Sequence, residues 1–194
     1  MASATFVLLI LFAYLLGGVP FGLLYGRIFA DVDIRSVGSG NIGATNVNRI
    51  LGRKLGAATL LSDTLKAVCT CLLATLLLSN PYEIAFVGLM TVVGHCFPIY
   101  LKFQGGKGVA TTFGVALVIA PLSGLVALGV WLISFRLSKL SAVGALASAI
   151  SLPFLVYIEK DFGRALIFLG IVMMVVLRHR ENIQRLRTGE ELKP

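Results

Sequence analysis

Long apolar runs alternate with short polar stretches along the whole chain, and several runs are long enough to cross a ~30 Å hydrocarbon core as helices. The first predicted span is Thr5 to Tyr25, with Gly17-Gly18 and Pro20 able to bend it where neighbouring helices give support. Ala57 to Leu78 is the second, with Asp63 and Lys66 near its start, and Asn80-Pro81 marks a tight turn after it. Glu83 to Leu101 is the third, carrying His95 and broken near Pro98. Val109 to Phe135 is too long for one untilted helix and short for two, with Pro121 to Gly124 reading as a turn in its middle. Ser141 to Ile158 and Phe162 to Leu177 complete the set. Between and after them lie polar stretches at Arg27–Lys54, Lys102–Gly108, Arg136–Lys139 and Arg178–Pro194.

Composition strengthens this picture. The 194 residues are 57% hydrophobic and 13% charged, against roughly a quarter charged in soluble domains. The pattern predicts an all-α polytopic membrane protein, one membrane-embedded domain over residues 1–194, with no additional soluble domain. No Lys or Arg precedes Arg27, so the first run lacks the basic start of a signal peptide and is expected to remain as a helix. Cys69, Cys71 and Cys96 have neither redox nor zinc spacing and read as buried apolar fillers.

Charge decides the ambiguous segment. If Val109–Phe135 is a hairpin of two short helices, the chain crosses seven times, and one side collects fourteen of the seventeen basic residues against five acids. The positive-inside rule then predicts seven transmembrane helices, amino terminus outside and carboxyl terminus cytoplasmic. All three motif-bearing polar stretches fall on that cytoplasmic side, where they can close around one substrate.

The richest stretch is Val37 to Arg49, VGSGNIGATNVNR. Gly38, Gly40 and Gly43 allow backbone N–H groups to approach an anion, Ser39, Asn41, Thr45, Asn46 and Asn48 add neutral hydrogen-bonding groups, and Arg49 adds a cationic fork. GSGNIG spells G-x-G-x-x-G, but the dinucleotide reading requires a βαβ unit, and the flanks here are membrane helices. A glycine-rich turn without chemistry is the plain alternative. Gly105-Gly106-Lys107-Gly108 fails the nucleotide-loop pattern, because the pattern's first glycine is missing and no Ser or Thr follows Lys107 directly. Glycine amides at a helix start still favour phosphate, and Lys102 is a further candidate cation; a basic membrane anchor is the alternative. Arg178-His179-Arg180-Glu181-Asn182 reads either as a membrane stop or as a site in which His179 and Asn182 share a face and Glu181 pairs an arginine. His95 is expected to be hydrogen-bonded structure. Asp63 and Lys66, three apart on one face, neutralise each other or mark a site inside the membrane. No metal constellation is present in the sequence, and no cofactor is expected.

Three of these segments together resemble the bacterial acyl-phosphate:glycerol-3-phosphate acyltransferase family: GSGNIGATNVNR at 38–49, GHCFPIYLKFQGGKGVAT at 94–111 and RHRENIQRLRTGEE at 178–191. The resemblance covers nearly the whole chain and includes its hydropathy layout. It implies transfer of an acyl group from acyl phosphate to the 1-hydroxyl of glycerol 3-phosphate, giving lysophosphatidic acid and phosphate in the inner membrane of a bacterium. It implies roles for Ser39 and Arg49, for the Gly105–Gly108 turn, and for His179, Glu181 and Asn182. On chemical grounds Arg49, Lys107, the glycine amides and Lys102 would hold two phosphates, and Ser39, Asn41 or Asn182 would face the oxyanion. The base is His179 or a substrate phosphate oxygen; Asp63, Lys66 and Glu181 would support the site. No nucleic acid or obligatory protein partner is expected. The competing classes are a small anion transporter or channel, disfavoured by polar motifs gathered at one face, and a non-catalytic scaffold.

Overall fold

The computed structural model describes residues 3–194, and there the chain is built from helices. In chain order these are α1 (Ala4–Gly17), α2 (Phe21–Ala30), α3 (Ala44–Leu51), α4 (Arg53–Leu77), α5 (Pro81–Cys96), α6 (Val109–Ile119), α7 (Pro121–Ser138), α8 (Ser141–Glu159), α9 (Phe162–Arg178) and α10 (Arg180–Thr188), with single 3-10 turns at Ile34–Ser36 and Ile99–Leu101. Starts follow local chemistry. Asn80 accepts the Tyr82 N–H at 2.9 Å ahead of Pro81, and Asp161 accepts the Arg164 N–H at 2.8 Å.

Among the described residues, five helical segments are long and apolar enough to cross a membrane: α1 with α2, α4, α5 with its 3-10 turn, α7 and α8. Taken as one span, α9 with α10, bent by 55° at His179, makes a sixth. The predicted Val109–Phe135 segment divides at Ala120. Residues Pro121 to Gly124, read from sequence as a turn, form instead the first turn of α7, because a proline at the first helical position gives up only an N–H that needs no partner there. α6 has 11 residues, a rise of about 17 Å, so it spans only part of a ~30 Å core. Two further helices lie in stretches expected to be polar loop and tail. α3 and α10 are short and marked by only a few buried positions, Asn46 and Val47 in one and Asn182 in the other, which hydropathy does not register.

Phe6 packs against Phe86 and Gly17 against Thr91, so α1 and α5 run parallel. The starts of α1, α5, α7 and α9 share one end of the bundle, where Tyr82 covers Gly163 and Glu159 accepts both the N–H and the hydroxyl of Ser123. The polar motifs lie at the other end. The main core is drawn from α4, α5, α6, α8 and α9, around Phe168, Ile171, Leu152, Val115 and Val92. Outward-facing residues such as Leu8, Leu76, Leu137, Phe154 and Ile158 are apolar and exposed, a surface suited to lipid. Cys71 and Cys96 are buried as expected, but Cys69 is exposed, because it sits on the outer face of α4.

Helices cross where residues are small. A Cβ on Gly114 of α6 would lie 2.4 Å from the Thr64 carbonyl oxygen of α4. Gly114→Val is therefore expected to push α6 off α4 and lower stability by about 1–3 kcal/mol. Thermal denaturation in detergent checks this; an unchanged melting temperature would contradict the crossing.

Candidate active site

The first motif is a framed loop. Gly38 and Gly40 take positive φ, 60° and 69°, where a side chain would be strained. Asn46, buried at the start of α3, holds the loop from inside. Its amide donates to the carbonyls of Ile34 and Val37, and its oxygen accepts from the Ser39 N–H at 2.9 Å and the Arg49 guanidinium at 3.1 Å. Asn41 accepts the Gly43 N–H at 2.8 Å, closing the turn into α3. Thr45 and Ser141 share a hydroxyl–hydroxyl bond of 3.0 Å, which ties α3 to the start of α8.

The second motif doubles back over the end of α5. The N–H groups of Gly105 and Gly106 bond the carbonyls of Cys96 and His95 at 3.2 and 3.0 Å. Their own carbonyls accept from Arg178 at 2.6 and 3.0 Å, so the second and third motifs are locked together by one guanidinium. Lys107, next in the chain, donates to the Asn182 side-chain oxygen.

The third motif is the elbow between α9 and α10. His179 is buried, with Nδ1 2.8 Å from the Val175 carbonyl; a neutral ring therefore donates through Nδ1 and keeps a lone pair on Nε2. The Asn182 amide donates to Glu191 at 2.6 Å, and Arg185 pairs with the same carboxylate at 2.9 Å.

These segments enclose a cavity of about 190 Å³. Its polar part carries Ser39, Asn41, Thr45, Arg49, Lys107, His179 and Asn182, with Gly43, Asn46, Gly108, Asp63 and His95 in its wall. Its apolar part runs between α4, α6, α7 and α8, along Leu60, Phe113, Leu128, Trp131 and Ala145. The Ser39 hydroxyl and the Asn41 amide nitrogen make no hydrogen bond among the described residues and are free to donate into it. Burial, with Arg185 nearby, lowers the Lys107 ammonium to about 8, although Glu191 acts in the opposite sense. Burial holds His179 at about 4, Lys107 adding to the effect while the bond to the Val175 carbonyl opposes it. Burial also draws Arg49 below its ordinary value, offset in part by Glu191.

Several sequence-predicted residues lie elsewhere. Lys102 takes positive φ at the end of a 3-10 turn and is exposed outside the cavity. Gly38, Gly40, Gly105 and Gly106 shape the backbone around the cavity rather than its wall. Glu181 is exposed and forms no ion pair among the described residues; the carboxylate that organises the elbow is Glu191, with its side chain 5% exposed. Asn182 has both ends of its amide engaged, so it orients Lys107 instead of offering a free donor. Asp63 and Lys66 form an ion pair of 2.8 Å turned inward, not an interfacial pair. Sequence reading missed Glu191, Arg185, Ser141 and Trp131. Glu191 stands in a run of charges like any solvated tail, and no local signal separates it from Glu190.

The chain matches the sequence profile of the glycerol-3-phosphate acyltransferase family over residues 7–189. Among curated relatives it is 45% identical over 186 residues to the glycerol-3-phosphate acyltransferase of Desulfotalea psychrophila, covering 93% of this chain and 94% of that one. It is 44% identical over 194 residues to the enzyme of the same name from Caulobacter vibrioides NA1000, covering 99% and 89%. Two solved structures are similar. They are crystal structures of PlsY (YgiH), described as an integral membrane glycerol 3-phosphate acyltransferase, in its glycerol 3-phosphate and lysophosphatidic acid forms. Their TM-scores are 0.93 and 0.90, their identities 36% and 35%, and they cover 98% of this chain and 96% and 95% of theirs.

A cavity lined by one titrating lysine and two fixed guanidiniums is expected to bind inorganic phosphate with a pH signature. Lys107 is cationic below about 8 and neutral above it, so phosphate affinity should fall several-fold between about pH 7.5 and 9. Lys107→Arg, whose charge does not titrate there, should abolish that fall. Calorimetry in detergent checks both; a pH-independent affinity in the unmodified protein would contradict the assignment.

Proposed function

Because the chain belongs to the glycerol-3-phosphate acyltransferase family, we propose that it carries an acyl group from an acyl phosphate to the 1-hydroxyl of glycerol 3-phosphate, leaving lysophosphatidic acid and inorganic phosphate. Acylation of glycerol 3-phosphate to lysophosphatidic acid is the family activity it performs. The observation that carries the fuller reading is the meeting of three distant motifs in one cavity with a cationic end and an apolar arm. An acyl phosphate has the same two ends.

In this reading Arg49 and Lys107, with Arg185 behind them, neutralise the two phosphate groups and bring donor and acceptor together. The glycerol hydroxyl oxygen attacks the acyl carbon. The tetrahedral oxyanion takes hydrogen bonds from Ser39 and Asn41, whose donors are free before substrate arrives. The bond from the acyl carbon to the bridging oxygen then breaks, and phosphate leaves with that oxygen. The hydroxyl proton goes to a phosphate oxygen. With its pKa near 4, His179 is a poor base beside a phosphate whose second pKa is about 6. Its Nε2 lone pair instead accepts a hydrogen bond from the neighbouring 2-hydroxyl and so orients the glycerol, leaving the 1-hydroxyl proton to the phosphate. The donor is activated already, so neither a metal nor a covalent enzyme intermediate is required. The acyl chain lies along Phe113, Leu128 and Trp131.

The proposed setting is the inner membrane of a bacterium, with seven crossings counting the short α6, the amino terminus outside and the site facing the cytoplasm. The grouping of basic residues near the motifs supports this. So does the parallel course of α1 and α5, with the first helix starting at the end opposite the tail that meets Arg49. One membrane domain, without a protein partner, suffices for the chemistry.

Purified protein given palmitoyl phosphate and glycerol 3-phosphate is expected to release phosphate in the presence of EDTA, and Arg49→Ala to lose at least about tenfold in kcat/KM. Full loss of activity with EDTA would refute the metal-free reaction, and near-normal Arg49→Ala would remove the clamp. His179→Ala should slow turnover yet leave the acid limb of the rate profile near pH ~6, where phosphate titrates. A limb near 4 that vanishes in the variant would make His179 the base.

A further inference from the structure

Three ionisable side chains inside the bundle have no part in the reaction just described. Asp63 and Lys66 lie one turn apart on α4, and His95 is in the last turn of α5; all three are buried, at 2%, 4% and 5% exposed. Lys66 Nζ sits 2.8 Å from Asp63 Oδ1, 3.0 Å from His95 Nδ1 and 3.0 Å from the carbonyl oxygen of Val19. Val19 lies in the break between α1 and α2, where its carbonyl also accepts the Phe21 N–H at 3.2 Å. One ammonium thus joins α4, α5 and the α1–α2 break, and Asp63 supplies the countercharge.

The other face of His95 meets the second motif. With Nδ1 accepting from Lys66, the ring carries its proton on Nε2. That atom is so close to Gly106 that a Cβ there would lie 2.1 Å from it. The Gly106 N–H also bonds the His95 carbonyl at 3.0 Å. Backbone and ring of His95 together form the seat of the residue that immediately precedes Lys107. A buried charge pair of this kind is costly compared with apolar side chains of similar volume, and what it adds here is a fixed orientation of the imidazole.

We propose that Lys66 is a positioning residue for the phosphate-binding turn: held by Asp63, it locks the His95 ring against Gly106 and so sets where Lys107 stands. The inference rests on the reading of Lys107 as a ligand of substrate phosphate. It predicts that loosening the network weakens glycerol 3-phosphate binding more than it slows turnover.

Two sets of variants test this in detergent. Asp63→Asn with Lys66→Met removes both charges at nearly constant volume, so no unpaired charge is left to unfold the bundle. The double variant should melt within a few degrees of the unmodified protein while KM for glycerol 3-phosphate rises about tenfold or more and kcat stays within about threefold. Where that variant does not fold, His95 gives the reading. His95→Asn keeps an acceptor near the Nδ1 position but removes the ring edge that meets Gly106, so it should raise KM for glycerol 3-phosphate about tenfold while kcat stays within about threefold. An unchanged KM in a folded double variant, or in a folded His95→Asn variant, would overturn the positioning role. An unmodified protein that forms no lysophosphatidic acid would overturn the functional reading itself, and this inference with it.

Discussion

An ammonium or guanidinium withdrawn from water at the end of an apolar helix bundle must find acceptors or lose its charge. Most of the polar geometry of this protein follows from that constraint. Lys107 is given the Asn182 oxygen, Arg185 is given Glu191, and Arg178 is spent on the carbonyls of Gly105 and Gly106. Arg49 is bound to Asn46 on one side and to the backbone of Lys193 on the other. The cations remain short of full compensation, since Lys107 is lowered to about 8 by burial and by Arg185. A site in that condition favours an anion, and it does so without moving, because each cation is already fixed by a neighbour.

The short α6 and the broken helices follow from the same need. A straight helix across the membrane would carry its polar ends out to the headgroups. Instead α5 stops at Cys96, the chain doubles back, and α6 starts at Gly108 beside Cys96 and Val92. The Gly105–Gly108 turn is thereby recessed into the bundle, next to apolar walls that suit a lipid tail. Non-helical backbone at such depth must have its N–H and C=O groups satisfied by protein. The bonds from Gly105 and Gly106 to α5, and from Arg178 to their carbonyls, meet that requirement.

Much of the fold was legible in the chain because hydropathy reports lipid contact directly. The break at Gly18–Pro20 and the one near Pro98 follow from helix chemistry visible in the residues, and the division of 109–135 follows from the sorting of charge, although the break falls at Ala120 rather than within Pro121–Gly124. The helices α3 and α10 were not legible, since a short polar helix held by tertiary bonds has no hydropathy signature. In the site, Ser39, Asn41, Arg49, Lys107, His179 and Asn182 follow from residue type and spacing together with the family resemblance, and all line one cavity. Lys102 and Glu181 were chosen by the same logic and face away from it. Charge type alone carries no direction; only the positive φ at Lys102 and the short α10 decide which way those side chains turn. Glu191 shows the converse, a tail carboxylate whose buried role exists only once the chain folds back on Asn182 and Arg185.

The account depends on three hydrophilic segments, remote in sequence, sharing one side of the bilayer. Single cysteines at Lys102, Asp161 and Thr188, in a background with Cys69 replaced by serine, can be probed with a membrane-impermeant maleimide in intact cells and in inverted vesicles. Labelling of positions 102 and 188 from the cytoplasmic side, and of 161 from the other, is the expected result; labelling of 102 and 188 from opposite sides would contradict the account.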